Sequence, residues 1–135
     1  MKYTIAIVEN DEDERFFMEE AFNKSGLFDI VAQLENGDAL FNFLETNPDT
    51  CPQVILSDLN MPGKNGFDII AGIKANPKLC HIPVIITSTS STPTMIEKSR
   101  NLGAAEYLIK PDSFIHYEPF IKTLHKVIEE KQLVK

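Results

Sequence analysis

Cysteine is scarce in this chain: Cys51 and Cys80 are the only two in 135 residues, far apart and without C-x-x-C or Cys/His ligand spacing. That argues against a zinc site or a disulfide framework and leaves two reduced, structurally ordinary thiols. Basic runs are lacking as well. No stretch of Lys or Arg exceeds a pair, and 13 Lys+Arg against 20 Asp+Glu give a formal charge of −7. Unaided nucleic-acid binding depends on clustered cations that neutralise phosphates, so DNA and RNA are not expected partners. No apolar run approaches the ~20 residues that span a bilayer. The first residues resemble no secretory leader, since the short apolar run after Thr4 meets the acidic stretch Glu9 to Glu14. A soluble, cytoplasmic protein with no membrane partner is the expectation.

What is present is an ordinary globular apolar content, 43% of residues, in one domain's length of chain, read as a single domain over residues 1–135. Short apolar runs alternate with amphipathic stretches of helical period, the signature of βαβ units around a parallel sheet. The strand candidates are Ile5–Val8, Ile30–Ala32, Val54–Leu56, Val84–Ile86 and Tyr107–Ile109. Five helices are expected between and after them. The first is capped by Asp11 or Asp13 and ends near Gly26, and the second is opened by Gly37-Asp38 and stopped by Asn47-Pro48. The third spans Gly66 to Ala75. Thr92-Pro93 caps the fourth, which ends at Gly103, and the fifth starts near Pro119, because proline tolerates only the first helical turn. Right-handed crossovers then give an α/β fold with an open doubly wound sheet, and such sheets bind ligands beyond the carboxyl ends of their strands.

The residues at those ends form a set. Glu9, Asn10, Asp11 and Glu12 follow the first strand, Ser57-Asp58-Leu59-Asn60-Met61-Pro62-Gly63 ends the third, Thr87-Ser88-Thr89-Ser90 ends the fourth, and Lys110-Pro111 follows the fifth. Crowded carboxylates repel unless a cation lies between them, and a hard, oxygen-rich pocket suits Mg²⁺. With a metal and Lys110 in place, Asp58 can stay ionised and attack a phosphorus centre. Glu12 to Glu14 are expected to face water, and His81, His116 and His125 share no spacing that suggests catalysis.

Taken together, Glu9-Asn10, Asp58 within Leu56 to Gly63, Ser88 after Pro83-Val84-Ile85-Ile86, and Lys110-Pro111 after Gly103-Ala104-Ala105-Glu106-Tyr107 resemble a bacterial response-regulator receiver domain of the single-domain chemotaxis type. The resemblance covers essentially the whole chain and implies a flavodoxin-like strand order, 2-1-3-4-5. It implies that Asp58 accepts a phosphoryl group from a histidine kinase or a histidine phosphotransfer protein, with Lys110 pairing first with the aspartate and then with phosphate. Ser88 would bond the phosphoryl group, Tyr107 would be the aromatic switch, and Asn60 and Ser90 would tune dephosphorylation. Mg²⁺ would lie near Glu9, Asn10, Asp58 and the Asn60 carbonyl. One position departs from the family pattern: Asn10 stands where a second acidic ligand is usual, so weaker Mg²⁺ binding is expected. The chain ends at Lys135 soon after the fifth helix, which suggests output through an unknown downstream protein or a relay, with no enzymatic turnover beyond self-phosphorylation and autodephosphorylation. Two other readings stand beside this one. A phosphorylation-independent pseudo-receiver is favoured by Asn10, and a hydrolase of the haloacid-dehalogenase type is disfavoured because Asn60 replaces its second aspartate.

Overall fold

The computed structural model describes residues 1–113 and 117–134, and His116 lies outside the described residues. Five strands, β1 (Tyr3–Val8), β2 (Phe28–Leu34), β3 (Val54–Asp58), β4 (Val84–Ser88) and β5 (Glu106–Ile109), form one sheet, β2-β1-β3-β4-β5, parallel throughout. Among the described residues, five α-helices alternate with them: α1 (Glu12–Ser25), α2 (Gly37–Thr46), α3 (Gly66–Ala75), α4 (Pro93–Leu102) and α5 (Tyr117–Glu130). A 3₁₀ turn at Pro48–Thr50, absent from the sequence reading, bridges α2 and β3.

The core has two layers because successive strand residues face opposite sides. Ile5, Ile7, Val54, Leu56 and Ile85 pack with Met18 and Phe22 of α1 and with Phe120, Ile121, Leu124 and Ile128 of α5. Ala6, Val8, Ile55, Val84 and Ile86 pack with Leu40 and Leu44 of α2 and with Ile69, Ile70 and Ile73 of α3. β3 and β4 are buried along their whole length, which is why they read as unbroken apolar runs up to their polar ends.

The helix ends follow local chemistry. Asp11 caps α1, its side chain accepting the Glu14 N–H, and Gly26 closes it in the left-handed conformation at φ 68°. Asn65 and Asp68 form a reciprocal capping box on α3. Two expectations need correction. Thr92 occupies the N-cap position of α4, but its side chain makes no capping bond and instead meets the Ser90 hydroxyl at 2.8 Å. The fifth helix spans Tyr117–Glu130, two residues ahead of the expected start. Pro119 is its third residue, still in the turn whose N–H groups have no intrahelical acceptor, so the ring is tolerated there.

Candidate functional site

Strand alternation sorts the polar residues at the sheet's carboxyl edge. Glu9, Asp58 and Thr87 continue the rows of Ile7, Leu56 and Ile85 toward α1 and α5, whereas Ser57 and Ser88 continue the opposite rows. β3 and β4 pair Asp58 with Thr87 in register, and the Lys110 N–H donates to the Ser88 carbonyl at 2.8 Å, placing the lysine beside the same edge.

The lysine is the centre of the site. Its Nζ donates to Glu9 Oε1 at 2.7 Å and lies 3.1 Å from Glu14 Oε1 and 3.5 Å from Asp58 Oδ2. Glu9 is 2% exposed and Asp58 7%, so these charges meet largely out of water. Burial raises the Asp58 carboxyl above the usual range against the opposing pull of Lys110. Burial raises Glu9 as well, with the Lys110 hydrogen bond opposing and the Asp58 charge adding to the shift. For Lys110, desolvation alone lowers its pKa, but the Glu9 hydrogen bond and the charges of Asp58, Glu9 and Glu14 outweigh it, and the net shift is upward. Backbone donors complete the pocket: the Asn60 N–H reaches Asp58 Oδ1 at 3.4 Å and the Asp11 N–H reaches Glu9 Oε2 at 3.1 Å.

The loop after β3 is held against the site. The Leu59 N–H donates to the Thr87 carbonyl and the Gly66 N–H to the Leu59 carbonyl, each at 3.0 Å. Gly66 packs so tightly under Asp58 that an added Cβ would lie 3.0 Å from the Asp58 carbonyl oxygen. On the other side, the fully buried Ser88 accepts the Ser90 N–H at 3.1 Å. Tyr107 is buried beside Ile86 of β4, and its phenol donates to the Ser90 carbonyl at 2.8 Å.

Each residue singled out in the sequence therefore has a place. Glu9, Asp58 and Lys110 form one contact group, and Ser88, Ser90 and Tyr107 form a second one beside it. Asn10 and Asn60 are exposed at the rim. Glu14 overturns its expectation of facing water: it pairs with Lys110 and accepts a hydrogen bond from Tyr117. Its position in the first turn of a helix that starts at the site was the available signal. The buried Thr87 hydroxyl, which has no hydrogen-bond partner among the described residues, is a further neighbour of Asp58. His125 packs by Tyr3 and Phe28 and bonds the Met1 carbonyl, a helix-packing role, and His81 is exposed.

The donor set fits a hard divalent cation. Three carboxylates surround one ammonium and the Arg15 guanidinium donates to the Glu9 carbonyl at 2.6 Å, so negative charge still exceeds positive, and oxygen ligands of this kind suit Mg²⁺ or Mn²⁺. Among the described residues, no three His, Cys, Asp or Glu side chains are gathered as ligands, so such an ion would need amide and carbonyl oxygens besides carboxylate. Among the described residues, no helix is long and apolar enough to cross a membrane.

Known proteins resemble this chain in sequence and fold. Residues 5–116 match the family model for the response regulator receiver domain. The rice (Oryza sativa subsp. japonica) two-component response regulator ORR12 is 39% identical over 81 residues, covering 60% of this chain and 65% of that protein. The chain thus matches just under two thirds of that relative's length. Among solved structures, the Mn²⁺-bound form of response regulator Rcp1 superposes with a TM-score of 0.77 at 28% identity, covering 90% of this chain and 91% of that one. The phosphorylated cyanobacterial phytochrome response regulator RcpA gives 0.80 at 27% identity, covering 93% of each. With its strand order, its strand-end residues and this match over most of its length, the chain belongs to the response regulator receiver domain family of two-component signalling.

Proposed function

We propose that residues 1–135 act as one receiver domain that takes a phosphoryl group on Asp58. One observation carries this reading: Asp58 is a buried carboxylate at the end of a central strand, with Lys110 Nζ 3.5 Å from one oxygen and the Asn60 N–H at the other. In the transfer, an Asp58 oxygen attacks phosphorus in line, the donor's P–N bond breaks, and its electron pair stays on the departing histidine nitrogen of a kinase or phosphotransfer protein. Lys110 neutralises oxygen charge that develops on the phosphoryl group. Mg²⁺, held by Asp58, Glu9, Asn10 and the Asn60 carbonyl, would supply further neutralisation. Both Glu9 oxygens already accept a hydrogen bond, but each retains a second lone-pair site. Asn10 brings an oxygen without charge, which supports weaker metal binding than a carboxylate there would give.

The second contact group supports a conformational readout. A phosphoryl group adds a charge of about −1.5 to −2 and new acceptor oxygens, and Ser88, one residue beyond the partner of Asp58 on the neighbouring strand, supplies the hydroxyl donor. When Ser88 turns to the phosphoryl oxygen, it gives up the Ser90 N–H, so the β4–α4 loop is free to follow and Tyr107 moves with the Ser90 carbonyl it holds. Asn60 and Ser90, at the positions that tune dephosphorylation in the family, set the lifetime of the acyl phosphate. Output is then by contact with another protein or by relay, in the cytoplasm, without turnover of an external substrate.

The rival is a module that binds its partner without phosphorylation, favoured by the uncharged Asn10 at the rim. Incubation with acetyl phosphate and Mg²⁺ followed by intact mass separates the two. The expected result is one added phosphoryl mass on wild type and none on Asp58→Ala. Unlabelled wild type, or equal labelling of both, would sink the reading.

A further inference from the structure

Glu14 is wired into the site by two partners on one atom. Its Oε1 lies 3.1 Å from Lys110 Nζ and accepts the Tyr117 phenol at 2.5 Å. Tyr117 is 2% exposed, opens α5 and packs edge-on against Phe120, so its hydroxyl is a fixed donor. A carboxylate whose oxygen is gripped by a buried phenol loses the rotational freedom of a surface glutamate, and its charge acts through a short, poorly screened path. The lysine has three N–H donors and three carboxylates around it. It stands closer to Glu9 and Glu14 than to Asp58.

We propose that Glu14, oriented by Tyr117, is a positioning residue for Lys110 that also restores to the site the negative charge that Asn10 does not carry. This rests on the reading of Asp58 as phosphoacceptor and goes beyond it in assigning a role to the α1–α5 contact. Two consequences follow from the placement. The charge of Glu14 raises the affinity of the pocket for a divalent cation. Its grip also holds Lys110 back from Asp58, so the lysine must leave Glu14 to reach a phosphoryl oxygen, and the grip limits how firmly the phosphorylated state is held.

The test uses Glu14→Gln, which keeps size and an oxygen for Tyr117 but removes the charge, and Tyr117→Phe, which keeps the ring but releases the carboxylate. In the metal-free, unphosphorylated chain, the Lys110 ¹⁵Nζ resonance, assigned with Lys110→Arg, should move in both variants. It should stay in place in Glu12→Gln, a charge loss on the same turn. Titration calorimetry with MgCl₂ should show about three- to tenfold weaker binding for Glu14→Gln, recovery in Asn10→Asp/Glu14→Gln, and less than a twofold change for Glu12→Gln. Acetyl phosphate labelling of Glu14→Gln should show a longer-lived phosphoryl group. An unmoved Lys110 resonance in both variants, or Mg²⁺ affinity in Glu14→Gln equal to that of Glu12→Gln, would overturn the proposal. If wild type labels on Asp58 while these readouts fail, only the role of Glu14 falls. If wild type neither labels nor binds Mg²⁺, the phosphoacceptor reading falls, and the resonance alone decides whether Glu14 positions Lys110.

Discussion

The phenol of Tyr107 donates to the main-chain carbonyl of Ser90 at 2.8 Å, across 17 positions of sequence. It ties β5 to the loop that leaves β4, and through the Ser90 N–H that loop is tied to the Ser88 hydroxyl. Removing the phenol oxygen in Tyr107→Phe should cost about 1 kcal/mol of stability, the usual net value of such a bond. Labelling of Asp58 should be unchanged, while the chemical-shift change at the Ser90 amide on phosphorylation shrinks. An unaltered Ser90 response would disconnect the ring from the loop.

Thr87 offers a prediction of opposite sign. Its hydroxyl is buried without a hydrogen-bond partner among the described residues, in register with Asp58. Thr87→Val replaces that hydroxyl with a methyl of nearly the same shape and removes a desolvation penalty, so stability should rise by about 1 kcal/mol, or roughly 3–5 °C in Tm. A thermal melt in which Thr87→Val unfolds earlier would show that the hydroxyl is satisfied in the folded chain.

The buried carboxylates set a pH dependence. Asp58 is raised in the folded state, chiefly by burial, while the unfolded chain titrates near the ordinary value of about 4. The folded form therefore holds this proton to higher pH, and stability from this group is lost as pH rises from the unfolded value through the raised one. Asp58→Asn mimics the neutral form and leaves Lys110 paired with Glu9 and Glu14. Its Tm should exceed that of wild type at pH 7, by about 1 kcal/mol in stability, and the gap should narrow as pH falls toward 4. A gap that widens on acidification would reverse the sign assigned to Asp58.

Gly66 is a steric control on the same site. A Cβ there would sit 3.0 Å from the Asp58 carbonyl oxygen, from Leu59 Cα and from Ile86 Cδ1, and two of those three are backbone. Gly66→Ala should destabilise by about 1–3 kcal/mol and slow acetyl phosphate labelling, since relief of the clash displaces the Asp58 main chain. Unchanged melting and labelling would mean that the loop yields without moving Asp58.

Much of this architecture was legible in the order of residues. The short apolar runs and the helical-period stretches between them place all five strands, and Asn76-Pro77 stops α3 (Gly66–Ala75) at its observed end. The strand-end group of Glu9, Asp58 and Lys110 was legible for the same reason: a parallel sheet brings the residues after its strands to one edge whatever their separation in sequence. Pro119 misled the start of α5, since a proline marks a first turn without saying which of its positions it fills.

Composition and pattern by themselves determined a parallel α/β domain with an acidic, lysine-bearing edge, because burial period and helix-end chemistry are local. Only the tertiary structure decided which carboxylates share the lysine. Glu14 lies in a charged run that reads as solvated, and the packing of α1 against α5 turns it inward to Lys110 and Tyr117. Likewise the register of β3 against β4, which alternation along one strand does not set, places Thr87 directly beside Asp58. Long-range contacts such as these depend on how helices seat on the sheet, and no residue spacing along the chain encodes that by itself.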